Sequence, residues 1–582
     1  MAASAPQLLL LLLGCAHALV AVPPISSDKL YLGIDLSTQS CTGVLLDRSL
    51  TPVRPAISIN FDDRLPEFGT SAGMCSGEGG VVTSPVRMWL CALDALLGEL
   101  KDTGLLGDVA ATSVSGQQHG SVYWTAEGLA ALEGPASGAS GFSEALPDAA
   151  FSITDCPIWA DSSTAAECAA IEEAFTGGAA AVARLTGSRA YERFTGPQML
   201  AIAKRYPEAW ASTSKVSLVS SFCASLLAGS FVPMDYSDAS GTLLMDVQAR
   251  EWAPEMLECA PFSGIGLADR LGGAPLPSHA VVGTVSSFLA ERWGFDPKSI
   301  VVASSGDNPC AIAGLGLAQP GDLALSLGTS DTLLGVAPAA TATPAVEGHV
   351  MAHPTDPASI FGMLCYKNGG AARQAVRDTH CAGEWSSFDA ALREAPPGNG
   401  GVLGLYLPSP EITPIISRTG SFHVDSSGKG MAEDDLSSAE SVRAVVEGRF
   451  LSMRARGGAI GLKGAQRVLA TGGGSQSSEI LQVCADVFNA KVLAADTPDA
   501  AAVGAARRAA HAHVLAVEHD GSPDGLPYEA FLRERASAAS GDGEVEELEV
   551  MASPSEEAAA VYDEAFIAKY KSFEDRVAAG EL

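Results

Sequence analysis

Three apolar runs in this chain each stop at a short stretch of glycine, serine and threonine. They are Tyr31-Leu-Gly-Ile-Asp-Leu-Ser-Thr38, Gly321-Asp-Leu-Ala-Leu-Ser-Leu-Gly-Thr-Ser330 and Ala470-Thr-Gly-Gly-Gly-Ser475. A short apolar run bounded by turn formers reads as a buried strand, and small polar residues at its end leave backbone N–H groups open to a ligand. Residues 41–47 read as the hairpin partner of the first strand. Further strands are expected at 109–114, 300–303 and 468–474, with helices at 86–100, 165–175, 197–206, 217–227, 436–453, 475–488, 497–513 and 556–577. Strands and helices that alternate in both halves predict an α/β architecture. The outline repeats, which predicts two related domains with a cleft between them.

A chain of 582 residues is long enough for more than one hydrophobic core. The expected division is a leader over 1–28, a first domain over 29–296 and a second over 297–582. Residues 8–22 are almost continuously apolar, with small residues at Ala16 and Ala18 and prolines at 23 and 24. This resembles a secretory signal and points to an organellar or secretory route, although it is short for a membrane span and has no basic residue before it. Residues 541–553 are acidic and are expected to be solvated.

Lys plus Arg number 36 against 68 Asp plus Glu, a net charge of −32. No basic cluster interrupts that field, which argues against nucleic acid or an anionic membrane as partner. A nucleotide would need a local site made from backbone N–H groups, helix ends and a divalent cation. None of the 12 cysteines forms a C-x-x-C pair, and no histidine spacing suggests zinc.

The residues between and within these loops suit phosphoryl transfer, which needs positioned phosphates, neutralised charge and an oriented acceptor hydroxyl. Asp35 ends the first strand, where its carboxylate faces a cleft and can hold a metal or a metal-bound water. Ser37 and Thr38 on one side, and Gly328, Thr329 and Ser330 on the other, offer hydroxyls and N–H groups to phosphate oxygens. Each loop alone reads equally well as a tight turn. Gly473, Gly474, Ser475 and Gln476 precede a helix and let a nucleotide approach the backbone. Neither a lysine-containing phosphate loop nor a G-x-G-x-x-G fingerprint is present.

Asp307 lies in a glycine turn after an apolar strand and is the candidate general base; its alternative is a cap for a helix starting at Pro309. Asn308 stands beside it to orient substrate. Gln117, Gln118, His119, Trp124, Trp159 and Asp161 make up a set suited to a polyol, with a polar rim and an apolar C–H face. Asp161 reads equally as a helix cap, and Asp235 and Asp238 read better as turn residues than as ligands.

Taken together, these stretches resemble the FGGY family of carbohydrate kinases, and within it the xylulose kinase branch. Ser115-Gly-Gln-Gln-His-Gly-Ser121, Ile153-Thr-Asp-Cys-Pro-Ile-Trp-Ala-Asp-Ser-Ser-Thr164, Ser237-Asp-Ala-Ser-Gly-Thr-Leu-Leu244, Gly306-Asp-Asn308, Leu325-Ser-Leu-Gly-Thr-Ser330 and Thr471-Gly-Gly-Gly-Ser-Gln-Ser477 occur in the family's order from about residue 30 to about 577. The resemblance implies two ribonuclease H-like domains of the actin and hexokinase type, with ATP and Mg2+ between them. It puts the base on Asp307 and its partner on Asn308. Sugar contacts fall on Gln118, His119 and Asp161, and adenosine contacts around Gly473, Gly474, Ser475 and Gln476. The implied partner is a small ketopentose, converted to D-xylulose 5-phosphate by a monomer or homodimer, and the implied location is cytoplasmic. Thr42 departs from the pattern, since relatives carry a basic residue near it. Another ketose or polyol (ribulose, erythrulose, glycerol), or a non-catalytic regulatory protein, remains an alternative reading.

Overall fold

Burial along β1 (Leu30–Leu36) is complete except at Asp35, the strand's one charged residue. The computed structural model describes residues 25, 26, 28–135, 138–495, 498–540 and 548–582; the expected leader lies almost wholly outside them. β1 pairs antiparallel with β2 (Ser40–Leu46), which pairs in turn with β3 (Ile57–Asn60). On its other edge β1 runs parallel to β4 (Val109–Gly116). The sheet ends in an antiparallel strand, β5 (Val281–Thr284), joined through β6 (Ile300–Val302), which is parallel to β4. Helices α1 (Val86–Asp102) and α2 (Val219–Ala228) cover one face, with Trp89, Leu93 and Phe222 in a shared core.

β6 corrects the expected break at residue 297. It pairs with β4 and β5, so it is a strand of the first sheet and does not open a second one. The chain changes sheets only after α3 (Asp307–Gly314). Parallel partners are set by long-range pairing, and no local pattern marks which sheet a short apolar run will join.

The second sheet repeats the first. β7 (Asp322–Leu327) pairs antiparallel with β8 (Asp331–Pro338), and β9 (His349–Ala352) and β10 (Ser359–Tyr366) extend that side. Helices α4 (Gly370–His380) and α5 (Ser438–Ala459) follow. β11 (Arg467–Thr471) runs parallel to β7, then α6 (Ser478–Phe488) leads to β12 (Lys491–Ala494), parallel to β11. An antiparallel edge strand, β13 (Val550–Ala552), closes the sheet, where the sequence suggested only solvated chain. Residues 541–547 of that acidic stretch lie outside the described set.

Both sheets therefore share one order, hairpin strands on one side of the first strand and parallel strands on the other. Between them lie α3 and α7 (Ala500–Glu518). α7 belongs to the second half in sequence yet packs Ala502, Ala506 and Ala509 with Tyr31, Val44, Ala111 and Ile300 of the first sheet. The two helices cross closely because both contact points lack a side chain. A Cβ on Gly314 would lie 2.0 Å from the Ala500 carbonyl oxygen, and one on Gly504 would lie 1.8 Å from that of Cys310. Two helix expectations are also corrected. Thr213–Leu218 is a strand before α2, and the closing helix is broken into Glu556–Val561 and Glu564–Ala579, the second capped by Asp563.

Candidate active site

The carboxyl ends of the parallel strands are where α/β sheets collect ligands, and here they bring two aspartates together. Asp35 on β1 is opposite Ser115 on β4, and Ser115 is opposite Ser305 of a two-residue strand, Ser305–Gly306. Ser37 donates its hydroxyl to Oδ2 of Asp35, while Oδ1 is buried without a hydrogen-bond partner. Burial holds the Asp35 carboxyl above its ordinary range.

Asp307 is the first residue of α3. The helix starts two residues before Pro309, so the capping position falls on Gly306 and Asp307 is left free of that role. Oδ1 of Asp307 accepts the Asn308 backbone N–H at 2.7 Å and its Nδ2 at 3.0 Å. Asp307 keeps a partly open surface, yet burial in the cleft, and then the neighbouring charge of Asp35, raise its pKa to about 7. That value suits a base that must be ionised before attack and take up a proton afterwards.

Gln118 completes this group. Its Oε1 accepts from Asn308 Nδ2 at 2.9 Å, and its Nε2 points 3.6 Å from Met351 Sδ on β9 of the other sheet. Gly306 lets this packing happen, because a Cβ there would lie 2.4 Å from Gln118 Cγ and 2.8 Å from Asp238 Oδ1. Gln117 is buried, and neither atom of its amide has a partner. His119 adopts φ 69°, stacks on Phe194 at 4.6 Å and is buried. Burial, then the charge of Arg193, lower its pKa to about 3, so the ring is neutral. Since Nδ1 lies 2.9 Å from the Gly241 carbonyl, that nitrogen carries the proton and Nε2 is left as the acceptor.

Other members of the polyol set take different places. Asp161 is buried and its two oxygens accept from Val82 N, Ser163 N, Ser163 Oγ and Gln198 Nε2 at 2.8–2.9 Å. Trp159 is 46% exposed and donates Nε1–H to Thr38 Oγ1 at 2.8 Å, tying the 153–164 segment to the first phosphate loop. Trp124 is corrected outright. It is fully buried among Phe151 and Phe222, its N–H satisfied by Ser217, so it belongs to the core and not to a ligand site.

The two hairpin loops sit at matching ends of β1 and β7. Gly328 and Thr329 line a cavity of about 600 Å³ together with Gly473, Gly474 and Gln476. Ser330 is exposed, its hydroxyl 3.5 Å from the Lys367 carbonyl, and Ser475 turns its hydroxyl back to the Gly472 carbonyl at 2.7 Å. Trp385, Asp389 and Arg373 also line this cavity. These three carry no motif and come from helices far along the chain, so nothing in the sequence marked them. Arg193 is a similar omission. Its guanidinium lies 4.8 Å from the Tyr191 ring centre and donates to His349 Nε2 at 2.8 Å, beside the buried His119. Thr42, opposite Asp35 across the hairpin, hydrogen-bonds Ser58 at 2.8 Å and puts a neutral group where a basic one was expected.

The N-terminal domain of the FGGY family of carbohydrate kinases matches residues 148–314, and its C-terminal domain matches 323–513. A mouse xylulose kinase is 44% identical over 490 residues, 82% of this chain and 85% of that protein. The chain belongs to the FGGY family of carbohydrate kinases. It is a carbohydrate kinase, and kinases of this family take ATP as substrate. Xylulose kinase 2 of Arabidopsis thaliana is 40% identical over 507 residues, 84% of this chain and 88% of that one. Among solved structures, a xylulose kinase from Rhodospirillum rubrum superposes with a TM-score of 0.70 at 20% identity, covering 95% of this chain and 99% of its own. A Plasmodium falciparum glycerol kinase with ADP gives 0.68 at 15% identity, covering 96% and 99%. At those identities the structures establish the two-domain fold. Among the described residues no helix is long and apolar enough to cross a membrane.

Proposed function

We propose that this FGGY kinase transfers the γ-phosphoryl group of ATP to D-xylulose, giving D-xylulose 5-phosphate, with Asp307 as general base. The observation that carries the mechanism is the state of Asp307, a carboxylate at the cleft raised to about 7 and oriented by Asn308, which is itself fixed by Gln118. The choice of sugar rests on the relatives named xylulose kinases at 44% and 40% identity.

In this reading the sugar hydroxyl gives its proton to Asp307 as its oxygen bonds to the γ-phosphorus, and the bond from that phosphorus to the bridging oxygen breaks to release ADP. Gln117, Gln118, His119 and Asn308 meet the sugar hydroxyls. The unpartnered Gln117 amide and His119 Nε2 are the donor and acceptor free to do so. Asp161 holds the segment that presents Trp159. Ser37, Thr38, Gly328, Thr329 and Ser330 receive phosphate oxygens, and Gly473, Gly474, Ser475 and Gln476 surround the nucleoside.

The residues fit a magnesium ion held jointly with the nucleotide. Asp35 Oδ1 is a buried carboxylate oxygen without a partner, a costly arrangement that a cation would relieve. Among the described residues no three His, Cys, Asp or Glu side chains converge, so phosphate oxygens and water would complete the shell around Asp35. Bound there, the ion supplies charge neutralisation at the phosphates.

The test is ADP release with magnesium-ATP and a panel of D-xylulose, D-ribulose, L-xylulose, erythrulose and glycerol, beside Asp307→Asn. Release driven by D-xylulose and lost in the variant supports the reading. Preference for another sugar moves the specificity and keeps the mechanism; an active variant removes the base.

A further inference from the structure

Asp235 and Arg508 form an ion pair that is almost wholly buried and that the reaction as described does not use. Asp235 is committed on every side. Oδ1 accepts the backbone N–H of Asp238 at 2.8 Å and the hydroxyl of Ser305 at 2.9 Å. Oδ2 accepts the hydroxyl of Ser278 at 2.6 Å and Arg508 Nη2 at 3.1 Å. With four donors on two oxygens, it has no capacity left for a metal or a sugar.

What matters is where these bonds converge. Arg508 Nη2 also donates to the carbonyls of Ser278 at 2.9 Å and Ala303 at 3.1 Å. The Ala303 carbonyl receives the Ser113 hydroxyl at 3.1 Å, and Ser304 Oγ accepts the Val114 N–H at 3.0 Å. Thus the stretch Ala303-Ser-Ser-Gly306, which runs straight into Asp307, is fixed from two sources. One is its sheet partner β4. The other is a carboxylate and guanidinium brought from a distant loop and from α7.

A buried ion pair is weak grounds for stability, because desolvation offsets its attraction and apolar replacements often do as well. Its attested use is to fix one arrangement among several. We propose that Asp235, held by Arg508, is a positioning residue for the base: through Ser305 it sets the turn from which Asp307 faces the acceptor hydroxyl. This rests on the reading of Asp307 as the base. Arg508 comes from α7, so the same pair ties the placement of Asp307 to the seating of α7 between the sheets.

Ser278 and Ser305 provide a matched test. Both are buried serines that donate one hydroxyl to the same carboxylate, but only Ser305 is on the strand that leads to the base. Removing either leaves Arg508 paired, whereas Asp235→Asn would strand it and risk misfolding. With D-xylulose and magnesium-ATP, Ser305→Ala is expected to lower kcat about tenfold, since small misplacements at a reacting centre are costly in rate. Both KM values should stay within about twofold, and thermal stability should match that of Ser278→Ala, whose kcat should stay within about twofold of wild type. An unchanged kcat in Ser305→Ala, or an equal loss in the two variants, overturns the proposal. Asp307→Asn measured alongside separates the two claims. If it is inactive while Ser305→Ala is normal, only the positioning role fails; if it is active, the base assignment fails and the positioning role with it.

Discussion

The hairpins at Asp35 and at Asp331 occupy corresponding places in two sheets of the same order, yet they treat a buried carboxylate in opposite ways. Asp331, at the start of β8, is gripped by Arg373 through two bonds of 2.7 and 2.9 Å, with Arg449 at 3.7 Å. Asp35 has only serine hydroxyls for partners, Ser37 on Oδ2 and Ser115 beside it. The residue facing it across the hairpin is Thr42, whose hydroxyl is spent on Ser58. The duplicated backbone supplies two equivalent loops. The side chains make one of them permanently neutralised and leave the other in want of a cation. The contrast is one of charge: the Asp331 carboxylate is met by arginine within the fold, and the Asp35 carboxylate is not, which is the basis of the proposed cation role for Asp35.

Asp331→Asn should do the greatest damage if this contrast is right. It leaves Arg373 buried without its counter-ion, while Arg449 keeps Glu411 at 3.2 Å, and a loss of about 3–5 kcal/mol in urea unfolding is expected, with the magnesium requirement unchanged. Asp35→Asn should show the reverse pattern. Turnover should fall by about a hundredfold or more as charge stabilisation at the phosphates is lost, and half-saturation by magnesium should rise. Its stability should not fall. The folded-state pKa of Asp35 is raised, so ionising it costs stability as pH rises above its ordinary value of 3.8. The variant should therefore melt higher than wild type at pH 8, and the gain should vanish below pH 3.8. Equal stability losses in both variants would break the comparison.

Two smaller effects sharpen it. Trp385→Ala removes an aromatic wall of the cavity beside the second hairpin and should raise KM for ATP about tenfold without altering that for the sugar. Finally, kcat/KM for the sugar should rise with pH through about 7 as Asp307 ionises. In Asp35→Asn that limb should move to lower pH, because the neighbouring charge that helps raise Asp307 is gone. Trp385→Ala should leave it in place.

Each loop alone could be a tight turn; it was their recurrence after similar apolar strands, and their order along the chain, that carried the two-domain fold. Asp307 and Asn308 could be picked out since a carboxylate directly after a buried strand needs a reason. Trp124 misled because an indole reads as a ligand plane until the hydroxyl of Ser217 is seen to satisfy its N–H in the core. The strand at 300–302 misled for a different reason. Its partner is 189 residues away, and nothing within the run tells which sheet it will join. Trp385 and Arg373 reach the cavity at the second hairpin, and Arg193 reaches His349, only through tertiary packing of helices and turns without a distinctive spacing.

The return of α7 to the first sheet also has a consequence for biosynthesis. The apolar face formed by Tyr31, Val44, Ala111 and Ile300 is covered by Ala502, Ala506 and Ala509. A ribosome must therefore translate some two hundred further residues after β6 before that cover exists. Until then the first half has one bare side, although every strand of its sheet has been made. Nascent chains of this length run the risk of aggregation at exposed sheet faces. Chaperone engagement should accordingly persist through synthesis of the second half and end when α7 emerges.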